Sequence, residues 1–332
     1  MICIKEVALL TKFIPKKLIK MNTYFSLFLL LSLTLFVSGQ DAAQDAGQGS
    51  VSGDLDVGVS DETETNQEEP NQEEPNTEDD DGDRIIGGTR AEPGEFPYQV
   101  ALLREGRQIC GGSIIANNWV LTAGHCVTAA NGIGGPAGAP GLPARLFTVT
   151  AGAIDLRQSL GSVQVERVVV HPRYRQVSNG NMGNDIALLK LSQPIVRPGV
   201  SSMISLPRQG QSFAGQTAVA SGFGRTDPNT KNPSPVLMKV NLQVGSDQTC
   251  QRMWGQTYDQ TMVCAGNPGR LQTVCNGDSG GPLAVRNGNQ AVVVGISSFV
   301  SNNRCVDLNR FAMFARVSNF IDSFINPTIR SG

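Results

Sequence analysis

Histidine is scarce in this chain of 332 residues: there are only two, His125 and His171. No Cys-x-x-Cys occurs either. A zinc centre needs a cluster of imidazole and thiolate ligands at short spacing, so these two absences argue against one. Long apolar stretches are also missing. The longest run, residues 25–37, is too short to cross a bilayer comfortably. There is no Asn-x-Ser/Thr sequon without an intervening proline, so no N-glycan is expected.

Charge is present but segregated. The formal net charge is −2. Residues 1–39 carry five Lys against one Glu, residues 40–84 carry sixteen Asp/Glu against one Arg, and residues 85–332 carry twenty-one Lys/Arg against twelve Asp/Glu. An acidic stretch therefore precedes a basic domain. Residues 25–37, with lysines before them and small residues in Val37-Ser38-Gly39 after them, have the form of a secretory signal. Met21 would itself start an ordinary signal, which makes residues 1–20 and Cys3 dispensable. Residues 40–84 hold few large apolar side chains and repeat Asn-Gln-Glu-Glu-Pro at 66–70 and 71–75. Such a segment buries too little apolar surface to offset its ordering entropy and is expected to be disordered.

From Ile85 onward the pattern changes. Short apolar runs alternate with Gly, Pro and Asn: Phe96–Leu103, Phe147–Ala151, Val163–Val170, Ile186–Leu191, Ala218–Ser221 and Ala291–Ser297. Several alternate with period two, which predicts β-strands. Helical spacing is found at the end, where Phe320, Ile321, Phe324 and Ile325 share a face behind Ser318 or Asn319 as N-cap. The fold class is all-β, as antiparallel barrels or a sandwich, with a C-terminal helix.

Four stretches carry chemistry. Cys275-Asn276-Gly277-Asp278-Ser279-Gly280-Gly281-Pro282 holds one hydroxyl between glycines that reach φ > 0 cheaply. Leu121-Thr122-Ala123-Gly124-His125-Cys126 sets a histidine beside a cysteine. Asn184-Asp185-Ile186-Ala187-Leu188-Leu189 sets an aspartate before an apolar strand. Arg84-Ile85-Ile86-Gly87-Gly88 stands where the charge changes sign. Singly, the first three have plain structural explanations: a turn, a disulfide neighbour, a cap.

Together, in the chain order His, Asp, Ser, these stretches resemble the chymotrypsin-like serine proteases of trypsin fold, from Ile85 to about Ile325. The resemblance implies two six-stranded antiparallel β-barrels with a C-terminal α-helix. It divides the chain into a signal region at 1–39, an acidic activation propeptide at 40–84 and a catalytic domain at 85–332. It implies that Ser279 attacks the scissile carbonyl, His125 takes and returns the proton, and Asp185 orients the imidazole. The N–H groups of Gly277 and Ser279 would bind the oxyanion. Cleavage after Arg84 would free Ile85 to pair its new ammonium with Asp278. The six cysteines of the domain would pair as Cys110–Cys126, Cys250–Cys264 and Cys275–Cys305; sequence alone allows fifteen pairings. Two departures from the family pattern are Gly124, where alanine is usual, and Phe223, where tryptophan is common.

The same resemblance points to the specificity pocket. Thr273 falls at its floor, where tryptic members carry aspartate, and Val274 adds an apolar neighbour. Val300 and Ala312 fall at its walls, and Ser298, Phe299 and Val300 form the substrate-pairing edge. These residues imply cleavage after small or medium aliphatic residues, as in elastases. The alternatives are chymotrypsin-like cleavage after Phe, Tyr or Leu, or a non-catalytic homologue that only binds. Activation after Arg84 would then need a trypsin-like protease in trans. Protein or peptide substrates and protein inhibitors are the expected partners. No nucleic acid, stable membrane association, metal or cofactor is expected, and the protein should be a secreted monomer. Residues 128–145 form a Gly-, Ala- and Pro-rich insertion after His125, residues 176–183 form a slightly long loop, and residues 152–167 lack a calcium-binding set of carboxylates.

Overall fold

A computed structural model describes residues 85–129, 140–158, 161–176, 182–288, 290–301 and 305–332. All lie within the unit Pro75–Gly332. The signal, the propeptide and Arg84 lie outside the described residues, as do most of the insertion after His125 and the middle of the 176–183 loop.

The first barrel is closed by six antiparallel strands: β2 (Gln99–Arg104), β3 (Arg107–Ala116), β4 (Trp119–Thr122), β5 (Phe147–Ala151), β6 (Val163–Val170) and β9 (Ala187–Leu191). Their order around the barrel is β2-β3-β4-β9-β6-β5, and β2 pairs with β5 to close it. Two short strands, β7 (Arg175–Gln176) and β8 (Met182–Gly183), form a separate ribbon. The second barrel contains β10 (Thr217–Gly222), β11 (Met238–Val244), β12 (Met262–Gly266), β13 (Pro282–Asn287), β14 (Gln290–Phe299) and β15 (Ala312–Arg316). It closes through β11 and β12, and β1 (Thr89–Arg90) adds to the free side of β11.

Local sequence explains these strands. In β11, Met238, Val240, Leu242 and Val244 are buried while Asn241 and Gln243 are exposed, the period-two pattern of a strand with one face on the core. β3 is buried over most of its length because both faces are covered. Gly111 makes this possible: a Cβ there would lie 3.0 Å from the Cα of Gly281, in the loop that leads into β13. The first barrel core includes Val100, Leu102, Ile114, Val120, Val149 and Leu188, and the second Leu242, Leu283 and Phe314, all fully buried. Each such side chain contributes roughly 1.5–3 kcal/mol on leaving water.

The chain ends on helical turns, as its spacing predicts, but with a different start. Ile321–Ile325 is a π-helical turn in which both the Phe324 and Ile325 N–H groups donate to Phe320 O. It runs on into a short helix α2 (Asn326–Arg330). Neither Ser318 nor Asn319 caps it. Ser318 Oγ is buried without a partner, and Asn319 donates its amide to Gln260 O. The apolar face is as expected: His171 packs edge-on against Phe320 and Phe324 with ring centres 5.3 and 4.9 Å away. Burial, and secondarily the Arg173 charge, pushes His171 down to about 4, so it is a neutral packing residue at physiological pH. The three disulfides pair as the resemblance implied.

Candidate active site

His125 sits on a single helical turn, Gly124–Cys126, directly after β4. The Cys110–Cys126 bridge ties that turn to β3. Asp185 sits before β9, after Asn184, whose φ of 53° turns the chain inward. Ser279 lies in the tight loop before β13, between Gly277 at φ 102° and Gly280 at φ 77°. A side chain at Gly280 would collide with Thr122 Oγ1, so this glycine lets the loop dock on β4. The first barrel grips the loop directly, since the Gly111 N–H donates to Ser279 O at 2.7 Å.

Asp185 is almost completely buried and its carboxylate is fully used. Oδ1 accepts the His125 backbone N–H at 2.9 Å. Oδ2 faces His125 Nδ1 at 2.8 Å and accepts the Ser298 hydroxyl. Burial pushes the Asp185 carboxyl up, but the His125 charge and the hydrogen bonds from His125 and Ser298 outweigh it and hold it below its ordinary value. An ionised Asp185 can only accept, so Nδ1 carries the proton and Nε2 is left as the base. Burial likewise pulls His125 down, while the Asp185 charge and hydrogen bond reverse that and raise it above 6.5. His125 and Ser279 line one cleft, but no hydrogen bond joins Ser279 Oγ to Nε2 in this resting arrangement; such contacts often tighten only around substrate.

Gly124 has a local reason. A Cβ there would lie 3.0 Å from the Tyr174 ring and 3.3 Å from Asp185 Oδ1, so the aromatic ring takes the room that a methyl would need. Among the described residues, only Cys110, His125 and Cys126 gather as metal-type ligands, and both sulfurs are committed to one disulfide.

Around Ser279 the backbone donors divide in two. The Asp278 N–H donates to Cys275 O, Gly280 to Ser297 O and Gly281 to Asp278 O. The Gly277 and Ser279 N–H groups have no acceptor among the described residues. Two free donors beside a nucleophile suit a developing oxyanion.

Asp278 and Ile85 are both buried, at 1% and 0% exposure. The carboxylate accepts the Gly224 N–H at 2.7 Å and the Cys275 N–H at 2.9 Å. No cation pairs with it among the described residues. Burial pushes it up to about 7, against the two backbone bonds. Gly222 and Gly224 cradle it: a Cβ on either would strike the carboxylate.

The cleft encloses about 370 Å³ and includes Val274, Ser298, Phe299 and Val300 of the expected pocket residues. Thr273 and Ala312 line a smaller neighbouring cavity instead. Thr273 turns its hydroxyl back onto Val274 O, 3.2 Å away, and so does not face the cleft. Val300 packs against Ile86 and the Cys275–Cys305 bridge, which fixes a branched side chain at the cleft wall. Trp254, Met182 and Arg310 also belong to this lining, and no motif in the sequence pointed to them. Trp254 belongs to helix α1 (Asp247–Trp254) and reaches the cleft through a ring contact with Phe299, 5.1 Å between centres.

A two-barrel fold with this histidine, aspartate and serine constellation defines a serine endopeptidase. The trypsin family model matches residues 85–323, and the chain belongs to that family. Among its relatives is the macaque (Macaca fascicularis) protein called chymotrypsin-like elastase family member 1, 35% identical over 75% of this chain and 90% of the relative. The cat (Felis catus) protein of the same name is 36% identical, with 75% and 90% covered, and the human one 35%, with 75% and 93% covered.

Proposed function

We propose that this enzyme is a secreted zymogen, activated by cleavage after Arg84, that cuts proteins after small or medium aliphatic residues. The observation that carries the specificity is the cleft wall: Val274 and Val300 present branched apolar side chains there, and no carboxylate lines the cleft among the described residues. A lysine or arginine side chain would enter without a partner, at a high desolvation cost. The elastase names of the relatives agree with this reading.

In this reading Ser279 Oγ attacks the scissile carbonyl as His125 Nε2 takes its proton. The carbonyl oxygen, now negative, accepts from Gly277 and Ser279 N–H; losing one such donor typically costs about 3–4 kcal/mol of barrier. His125 then gives the proton to the leaving amine, and water repeats the sequence in reverse roles to release the acid. Asp185, held by Ser298, keeps Nδ1 protonated throughout. Asp278 awaits the Ile85 ammonium. Until the chain is cut, its burial has no charge to balance it. The activator must be trypsin-like, since this cleft does not suit arginine. The enzyme works as a monomer outside the cell and meets protein inhibitors there.

The test is a peptide series differing only in the residue before the scissile bond. Activated enzyme should prefer Ala, Val and Leu, by about 1–3 kcal/mol in kcat/KM for well-fitted methylenes. A preference for Phe or Tyr would support the chymotrypsin-like alternative, and cleavage after Arg would refute both.

A further inference from the structure

We propose that Arg310 makes this enzyme select substrates with an acidic side chain three or four residues before the scissile bond. This rests on the endopeptidase reading above and adds a substrate class to it. Arg310 precedes β15 and lines the same cleft as His125 and Ser279. It is exposed, and among the described residues it is the only lysine or arginine in that lining and no aspartate or glutamate joins it.

Its guanidinium is placed by an aromatic platform. Arg310 Cζ stands 5.4 Å from the centre of the Trp254 ring. Trp254 is itself fixed by an Nε1–H bond to Phe311 O at 3.0 Å and by its edge contact with Phe299. A planar cation stacked on a ring is oriented while its N–H edges stay open to an acceptor. No carboxylate forms an ion pair with it among the described residues. Asp307 is near enough to feel its charge, but its carboxylate is engaged by Ser301 and by the Asn309 N–H.

Position along the cleft follows from strand geometry. Gly280 N–H bonds to Ser297 O, so the Ser297–Ser298 end of β14 lies beside the nucleophile. A substrate strand added antiparallel to this edge runs toward its own N-terminus as the enzyme chain runs from Ser298 to Val300. Two residues of strand span about 7 Å. The Phe299–Trp254–Arg310 stack flanks that far end, so the third and fourth residues before the bond meet the guanidinium, and the residue next to the bond meets Val274 and Val300.

The experiment uses full-length protein activated at Arg84, with quenched fluorescent peptides that keep the residue before the bond constant. A glutamate is moved through the four positions before it, and each peptide is assayed at low and high salt. Glutamate at the third or fourth position should raise kcat/KM about 3- to 5-fold, mainly through KM, as expected for an exposed ion pair. The gain should shrink in high salt, vanish in Arg310→Gln and persist in part in Arg310→Lys. A thermal unfolding midpoint equal to that of the unsubstituted protein, together with fluorophosphonate labelling of Ser279, shows that Arg310→Gln is folded. No glutamate gain at these positions, or a gain that survives Arg310→Gln, overturns the proposal. Failure to cleave any peptide overturns the endopeptidase reading itself.

Discussion

Gly224 holds the Asp278 carboxylate by donating its N–H to Oδ1 at 2.7 Å, and a Cβ on Gly224 would collide with Asp278 Cγ. The glycine is both donor and empty space. Its neighbour Gly222 would strike the same carboxylate if it carried a side chain. The residue before the nucleophile is therefore fixed by a segment more than fifty positions earlier.

Gly224→Ala should consequently displace Asp278 and the loop that carries Ser279. Overpacking of a buried site of this kind costs about 1–3 kcal/mol. Urea unfolding should show that loss, and activity should fall further than stability because the oxyanion donors move with the loop. Wild-type stability and kcat in Gly224→Ala would show that the cradle has slack.

The uncut chain should lose stability as pH rises. Asp278 is raised to about 7 in the folded protein by burial. A carboxyl that binds its proton more tightly when folded favours folding while protonated. That contribution is complete below the unfolded value near 4 and disappears as pH climbs to about 7, a change on the order of 4 kcal/mol. Urea titrations of the uncut Ser279→Ala protein between these limits measure it. Asp278→Asn should flatten the dependence; an equal slope in that variant would assign it to other groups.

Activity should have an acidic limb above pH 6.5. His125 is raised because the Asp185 charge and hydrogen bond outweigh its burial, and a protonated imidazole cannot take the serine proton. kcat/KM should therefore rise with pH through the raised imidazole value, on the alkaline side of an ordinary histidine. Asp185→Asn should shift the limb and lower kcat by about 10⁴ through the wrong tautomer. Ser298→Ala should lower kcat less, because Asp185 keeps both bonds to His125.

Much of this was legible in the sequence. Phe147–Ala151 and Val163–Val170 are strands with the same limits as their apolar pattern. His125, Asp185 and Ser279 announce themselves through their immediate neighbours. Gly222 and Gly224 do not, because their role depends on Asp278 arriving from a distant loop. Arg310 and Trp254 meet across a similar distance in the chain. The orientation of Thr273 is not legible in the sequence either: its hydroxyl turns onto Val274 O, which local hydrogen bonding decides. The helix start was misjudged for a related reason. Ser318 follows β15 into a buried position, where its hydroxyl meets no helix N–H.

One measurement tests the proposed activation latch and the proposed nucleophile together. A fluorophosphonate probe should be applied to the purified protein before and after a trypsin-like enzyme cuts at Arg84, with the labelled peptide identified by mass. Label on Ser279 only after the cut, and none in Asp278→Ala, is the expected result. Equal labelling of the uncut chain, or full labelling of Asp278→Ala, would contradict it.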